Sequence, residues 1–222
     1  MSDETQALAK REKGPSLYWS VRAVMRFFIR LYLRLESHGS EQVPRTGGCI
    51  LTPNHVSFLD PPIVGCGLAH RMVHFMARDS LFKAPVLGWW YRKIGTISID
   101  RSKGDLAALR SAISDLRRGK VVCLFPEGTR SINGELQQPK GGVGFLIARA
   151  NVPVVPVYLD GTYAAWPKGG KWIKPRKVRV FFGPAIQPEE FGLDEKGKPD
   201  YDRIVALVME RIAALKQQAS EV

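Results

Sequence analysis

The chain has 222 residues, 45% of them hydrophobic, enough for one domain with a full core that needs neither disulfides nor a metal. Its 33 lysines and arginines outnumber 21 aspartates and glutamates, and the net charge of +12 points to anionic partners: phosphorylated small molecules, anionic lipid or nucleic acid. Cys49, Cys66 and Cys123 sit among apolar residues at no metal or disulfide spacing, which excludes a cysteine-stapled scaffold and predicts buried, reduced thiols.

Residues 1–16 read as a polar, flexible N-terminus without the basic start and apolar core of a signal peptide, so no export is expected. Residues 17–36 form an apolar, aromatic stretch in which Arg22, Arg26, Arg30 and Arg34 recur every fourth residue, an arc about 120° wide on a helix. Four arginines would cost about 10 to 14 kcal/mol at a bilayer centre, more than the apolar residues return, so spanning is disfavoured. The expectation is a helix lying in the membrane interface, with Trp19 and Phe28 in the apolar layer and the arginines among headgroups. The alternative is a helix packed on the domain by its apolar face, its basic stripe in solvent.

Residues 37–222 read as the folded domain. Cys49 to Thr52 is a short buried strand after the turn residues Pro44, Gly47 and Gly48. It delivers Asn54-His55-Val56-Ser57-Phe58-Leu59-Asp60-Pro61. On a continuous helix His55 and Asp60 would point about 140° apart, so they can pair only across a turn. Pro53 disfavours helix before it, and Asp60-Pro61 reads as an N-cap with proline at the first helical position. A turn that folds Asp60 back to His55 makes a histidine general base; a surface histidine and an ordinary capping aspartate are the plainer alternative.

A short helix over Pro61 to Ala69 and a strand over Met72 to Ala77 follow. His70 and His74 fall on either side of that boundary, so no metal site is expected. Ala84 to Tyr91 is apolar enough for core or an acyl-chain surface. A strand within Gly95 to Arg101 ends in Asp100-Arg101, and a helix runs from about Asp105 to Arg118. The strand Val121 to Phe125 enters Pro126-Glu127-Gly128-Thr129-Arg130, a compact turn with an acid, a hydroxyl and a base. Lys140 then precedes a glycine-rich helix start, a plausible anion site that lacks P-loop or dinucleotide spacing. The remaining elements are a strand over Val152 to Leu159, its prolines suited to an end or edge, a basic loop around Trp172, a strand over Val178 to Phe182 and a terminal helix from Tyr201 to Leu215. Strands alternating with helices predict a single α/β domain: a mixed, largely parallel sheet with helices on both faces.

In order, Asn54-His55-x-Ser57-x-x-Asp60, Gly95 to Arg101, Phe125 to Arg130 and Val152 to Val157 resemble the four blocks of the glycerolipid acyltransferases, most closely the 1-acylglycerol-3-phosphate (lysophosphatidic acid) acyltransferases. The resemblance spans Cys49 to Val157. It implies transfer of an acyl group from acyl-CoA or acyl carrier protein to the sn-2 hydroxyl of lysophosphatidic acid, forming phosphatidic acid, without cofactor or metal. It implies His55 and Asp60 as catalytic residues, and Arg101, Glu127, Gly128, Thr129, Arg130 and Lys140 around the acceptor. It also implies a peripheral protein on the cytoplasmic face of the membrane, seated on an anionic surface. The same chemistry on glycerol-3-phosphate or another lysolipid is one alternative. A basic nucleic-acid-binding module is an alternative of a different class, for which no RNA or DNA motif is present.

Overall fold

Period-two alternation divides each apolar strand between two faces, and both faces are covered. The computed structural model describes residues 16–78, 96–99, 106–140 and 142–221. Within them a seven-stranded sheet runs in the order β1-β7-β6-β2-β5-β3-β4. The strands are β1 (Glu36–His38), β2 (Cys49–Pro53), β3 (Val73–Arg78), β4 (Ile97–Ile99), β5 (Val121–Cys123), β6 (Val154–Asp160) and β7 (Arg179–Phe182). Only β6 and β7 pair antiparallel; the other neighbouring pairs are parallel. The expected α/β architecture is therefore present, while β1 is a strand that the sequence did not announce.

The helices are α1 (Ser16–Leu33), α2 (Asp60–Gly67), α3 (Leu106–Arg117), α4 (Val143–Ala150), α5 (Thr162–Ala165) and α6 (Tyr201–Ser220). Leu51, Cys123, Val155 and Val157 share one buried cluster with Ile63 and Val64 of α2 and Leu33 of α1. Ile50, Val122 and Val154, from the alternate positions, pack on the opposite face with Leu146 and Ile147 of α4 and Ile204, Val208 and Ile212 of α6. Each fully buried aliphatic side chain stabilises this arrangement by about 1.5 to 3 kcal/mol relative to exposure.

Two expectations change on the sheet. The prolines of Val152 to Leu159 suit an end or an edge: Pro153 does lie just before β6, but Pro156 is inside it, and β6 is interior, between β7 and β2. Val154 N–H donates to Ile186 on the β7 side, so the donor that Pro156 lacks points the same way. The β6–β7 ladder begins only at Val157 opposite Phe182, so proline falls where the neighbouring ladder has ended. Arg71, fully buried at the start of β3, was not singled out at all. Its guanidinium donates to the carbonyls of Pro44, Gly47 and Gly119, tying together loops at the amino ends of the strands.

α1 also sits differently from expectation. Arg22 is buried and donates to Gly65 O at 2.8 Å and Cys66 O at 3.1 Å, and Arg26 also reaches Cys66 O. These carbonyls end α2, where unpaired acceptors and the negative end of the helix dipole favour a cation. The two arginines therefore hold α2 rather than headgroups, and burial together with neighbouring Arg30 and Arg22 lowers the pKa of Arg26. Arg30 and Arg34 are exposed and Trp19 is half-buried beside Tyr18. The outward face carries Leu17, Val24, Phe27, Phe28 and Leu31, all exposed. The packed-helix alternative holds only in part: Arg22 and Arg26 face the domain together with Tyr18 and Leu33, Arg30 and Arg34 stay exposed, and Val24, Phe27, Phe28 and Leu31 face out. No described helix is long and apolar enough to cross a membrane.

Candidate active site

Parallel pairing of β2 with β5 and β6 brings three carboxyl ends to one edge of the sheet. From β2 the chain turns into α2 on one face, and from β5 it continues through the 126–140 loop to α4 on the other. Diverging connections at neighbouring carboxyl ends open a crevice, the usual place for a ligand in such a sheet.

His55 follows β2 directly. Its Nδ1 lies 2.8 Å from Asp60 Oδ2, and the same oxygen accepts the main-chain N–H groups of Val56 and Ser57, each at 2.7 Å. An oxygen engaged by two main-chain donors acts as acceptor towards the ring, so Nδ1 carries the hydrogen and Nε2 the outward lone pair. The turn is as expected, but Asp60 is not the N-cap. Leu59 holds that position and Asp60 is the first helical residue, so its carboxylate reaches back to the turn rather than forward into α2. One oxygen, not two, serves both the backbone and the imidazole. Asp60 is fully buried, whereas the His55 side chain keeps 18% of its surface and stacks on Phe125 with centroids 3.9 Å apart.

Glu127 is buried and aimed at the same turn. Its Oε1 accepts His55 N–H at 2.9 Å and its Oε2 accepts the Gln137 side-chain amide at 2.9 Å. Ser131 N–H donates to His55 O at 2.8 Å, so the backbone of His55 is held on both sides by the 126–131 segment. Glu127 thus braces the main chain of His55. Gly128 has φ +62°, and a Cβ there would come within 2.7 Å of Lys140 Cδ, so glycine leaves room for the exposed Lys140 side chain to cross the turn. Thr129 contributes its carbonyl to Gln137. Arg130 lies over the exposed Phe58 ring, 3.3 Å from its centroid, which puts a guanidinium against the His55–Asp60 turn. Arg101 and the Ala84 to Tyr91 stretch lie outside the described residues. His70 and His74 hydrogen-bond the carbonyls of Val43 and Val121, away from this edge.

Against this geometry the family comparison is decisive. The sequence matches the family model described as Acyltransferase over residues 34–160. The chain belongs to the acyltransferase family. It is 31% identical over 146 residues to the chloroplast 1-acyl-sn-glycerol-3-phosphate acyltransferase BAT2 of Brassica napus, covering 64% of this chain and 42% of that protein. A protein of the same activity name from Bacillus subtilis is 25% identical over 185 residues, covering 83% of this chain and 85% of the relative. One from Pseudomonas aeruginosa is 32% identical over 165 residues, 72% of this chain and 62% of its own length. The crystal structure of the 1-acyl-sn-glycerophosphate acyltransferase PlsC from Thermotoga maritima superposes with a TM-score of 0.67 at 26% identity, covering 96% of this chain and 86% of that one.

In this member of the family two side chains that could compete with the dyad as nucleophiles, Ser57 and Cys123, are occupied or inert. Ser57 Oγ donates to Trp166 O at 2.6 Å and accepts Leu59 N–H, and the residue is fully buried. Cys123 is sealed inside β5, where burial, reinforced by the Asp60 charge, pushes its thiol well above the ordinary range. Burial likewise pushes the Cys66 thiol up to about 11. Sequence reasoning missed Gln137, Phe125 and Phe58. Phe58 and Phe125 lie inside motifs already read, but nothing in the spacing of Gln137 announces it.

Burial pushes the Glu127 carboxyl above its usual range, and hydrogen bonds from His55 N–H and Gln137 pull it partly back. The folded state therefore binds this proton more tightly than the unfolded chain does. Stability from this group is complete below the ordinary carboxyl range and declines as pH rises through the raised folded value. Urea midpoints of Glu127→Gln, set against the parent over that window, will shift in favour of the glutamine as pH rises. A difference independent of pH would overturn the assignment.

Proposed function

We propose that this chain transfers a fatty acyl group from a thioester donor to the sn-2 hydroxyl of 1-acylglycerol-3-phosphate at a bilayer surface. The observation that carries the reading is the His55–Asp60 pair, a partly exposed imidazole set by a buried carboxylate, with the Arg130 guanidinium over neighbouring Phe58 and Lys140 crossing the Gly128 turn. The acceptor hydroxyl gives its proton to Nε2 while its oxygen attacks the thioester carbonyl; Asp60 stabilises the resulting imidazolium. As the tetrahedral intermediate collapses, the carbon–sulfur bond breaks and the imidazolium returns the proton to the departing thiolate. The acyl group passes directly to the alcohol, because the nearby Ser57 and Cys123 are both unavailable for an acyl-enzyme. Arg130 and Lys140, with Arg101, hold the acceptor phosphate through charge-assisted hydrogen bonds. The relatives named for this activity and the outward face of α1, which carries Phe27, Phe28 and Leu31 while Arg22 and Arg26 turn inward, support a lipid acceptor.

The test is product mass from purified protein given acyl-CoA or acyl carrier protein with lysophosphatidic acid, glycerol-3-phosphate or a lysophospholipid with a larger headgroup. Phosphatidic acid from lysophosphatidic acid is the expected dominant product. Acylation of another acceptor alone would replace the substrate and keep the chemistry, and no acyl transfer with any pair would overturn the reading.

A further inference from the structure

The basic segment after α5 is exposed, yet its main chain is shaped by hydrogen bonds. Gly170 N–H donates to Pro167 O at 2.9 Å, Lys174 N–H to Ala165 O at 2.8 Å, and Trp166 Nε1 to Gly170 O at 2.8 Å. That framework leaves residues 171–177 all exposed, with Trp172 at 81% and Ile173 at 38%. Around them stand Lys168, Lys171, Lys174, Arg176 and Lys177, and the stretch from Pro167 to Lys177 contains no acid. A bare indole gains little from water and much from a headgroup layer, where its ring is buried and its N–H stays wet.

We propose that Pro167–Lys177 is a second lipid contact, which enters the headgroup layer of an anionic bilayer beside α1. Two connections argue for lipid. Tyr32 OH of α1 donates to Ile173 O at 2.8 Å, so the loop abuts the end of the helix whose outward face carries Phe27, Phe28 and Leu31. At its root, Trp166 O accepts Ser57 Oγ, Pro167 bridges Ser57, and the Trp166 ring lies 5.3 Å from Phe58. A bilayer that touches both α1 and the loop therefore comes up against the His55–Asp60 turn, and a lysolipid acceptor reaches the site without leaving the surface. The proposal rests on the reading of the chain as an enzyme of membrane lipid.

The experiment uses the full chain with phosphatidylcholine vesicles, with and without phosphatidylglycerol. Trp172→Ala is expected to weaken sedimentation with vesicles by about ten- to a hundredfold while leaving the melting temperature unchanged. Each alanine at Lys168, Lys171 or Lys174 is expected to weaken binding to anionic vesicles by about fivefold and to leave binding to neutral vesicles nearly unchanged. Brominated lipid should quench the parent's fluorescence more than that of Trp172→Phe. Equal quenching and equal binding would overturn the loop contact. If Phe27→Ser with Leu31→Ser abolishes vesicle binding and Trp172→Ala does not, only the loop proposal falls. A parent chain that ignores vesicles but shifts RNA in a gel overturns both, since exposed aromatic and basic residues also suit a single strand.

Discussion

His55→Ala is expected to lower turnover by about 10² to 10⁴, the usual worth of a positioned general base. Nε2 is the ring nitrogen left to take a proton, because Nδ1 is engaged with Asp60 at 2.8 Å and Asp60 itself is fully buried. What folding loses is small: the imidazole is partly exposed, and its stacking on Phe125 contributes about 0.5 to 1.5 kcal/mol. Circular dichroism and vesicle sedimentation should therefore match the parent while product formation falls. Near-parental turnover in the alanine variant would remove His55 from the mechanism and leave the turn as architecture.

Asp60 is predicted to separate catalysis from folding through the choice of replacement. In Asp60→Asn the amide oxygen can occupy the place of Oδ2, accepting Val56 N–H, Ser57 N–H and the imidazole, so the turn survives. The neutral amide stabilises an imidazolium far less than a carboxylate does, and turnover should fall by a share of the about 10² to 10⁴ that the general base itself is worth. Asp60→Ala leaves two buried main-chain donors without their acceptor, a loss of about 2 to 6 kcal/mol at 1 to 3 for each. Thermal melts and single-turnover rates distinguish the two losses. An asparagine variant that keeps its rate would limit Asp60 to holding the turn.

Much of this architecture is written locally. Cys49 to Thr52 and Val121 to Phe125 are apolar runs bounded by turns, and such runs become buried strands of a parallel sheet wherever they pair. β1 escaped notice for the opposite reason. Glu36-Ser37-His38 has no apolar alternation, and it becomes a strand only because β7 offers a parallel partner and Phe181 a ring for His38 to stack on, at 4.8 Å. Pro156 looked unfit for an interior strand because the end of a neighbouring ladder cannot be seen along one chain. Taken alone, the turn around Glu127 reads first as a solvent turn with a local Glu-Arg pair. Its carboxylate became a support for His55 because β2 and β5 are parallel neighbours, which lays residues 72 apart in sequence against each other.

α1 shows the same division. Its four-residue arginine spacing settles that one stripe is basic and the remainder apolar, but periodicity is blind to which stripe meets the domain. The carbonyls of Gly65 and Cys66 at the end of α2 decided that, drawing Arg22 and Arg26 inward and leaving Phe27, Phe28 and Leu31 outside. By itself, then, the sequence determined the elements, the alternation that buries the sheet on both faces, and the short-range turn that returns Asp60 to His55. These depend on the conformations of a few adjacent residues. Only the tertiary structure decided which way α1 faces, that Glu127 and Gln137 brace the histidine, and that the Trp172 loop joins α1 to the His55–Asp60 turn. Those contacts depend on strand order, and strand order is a property of the whole chain.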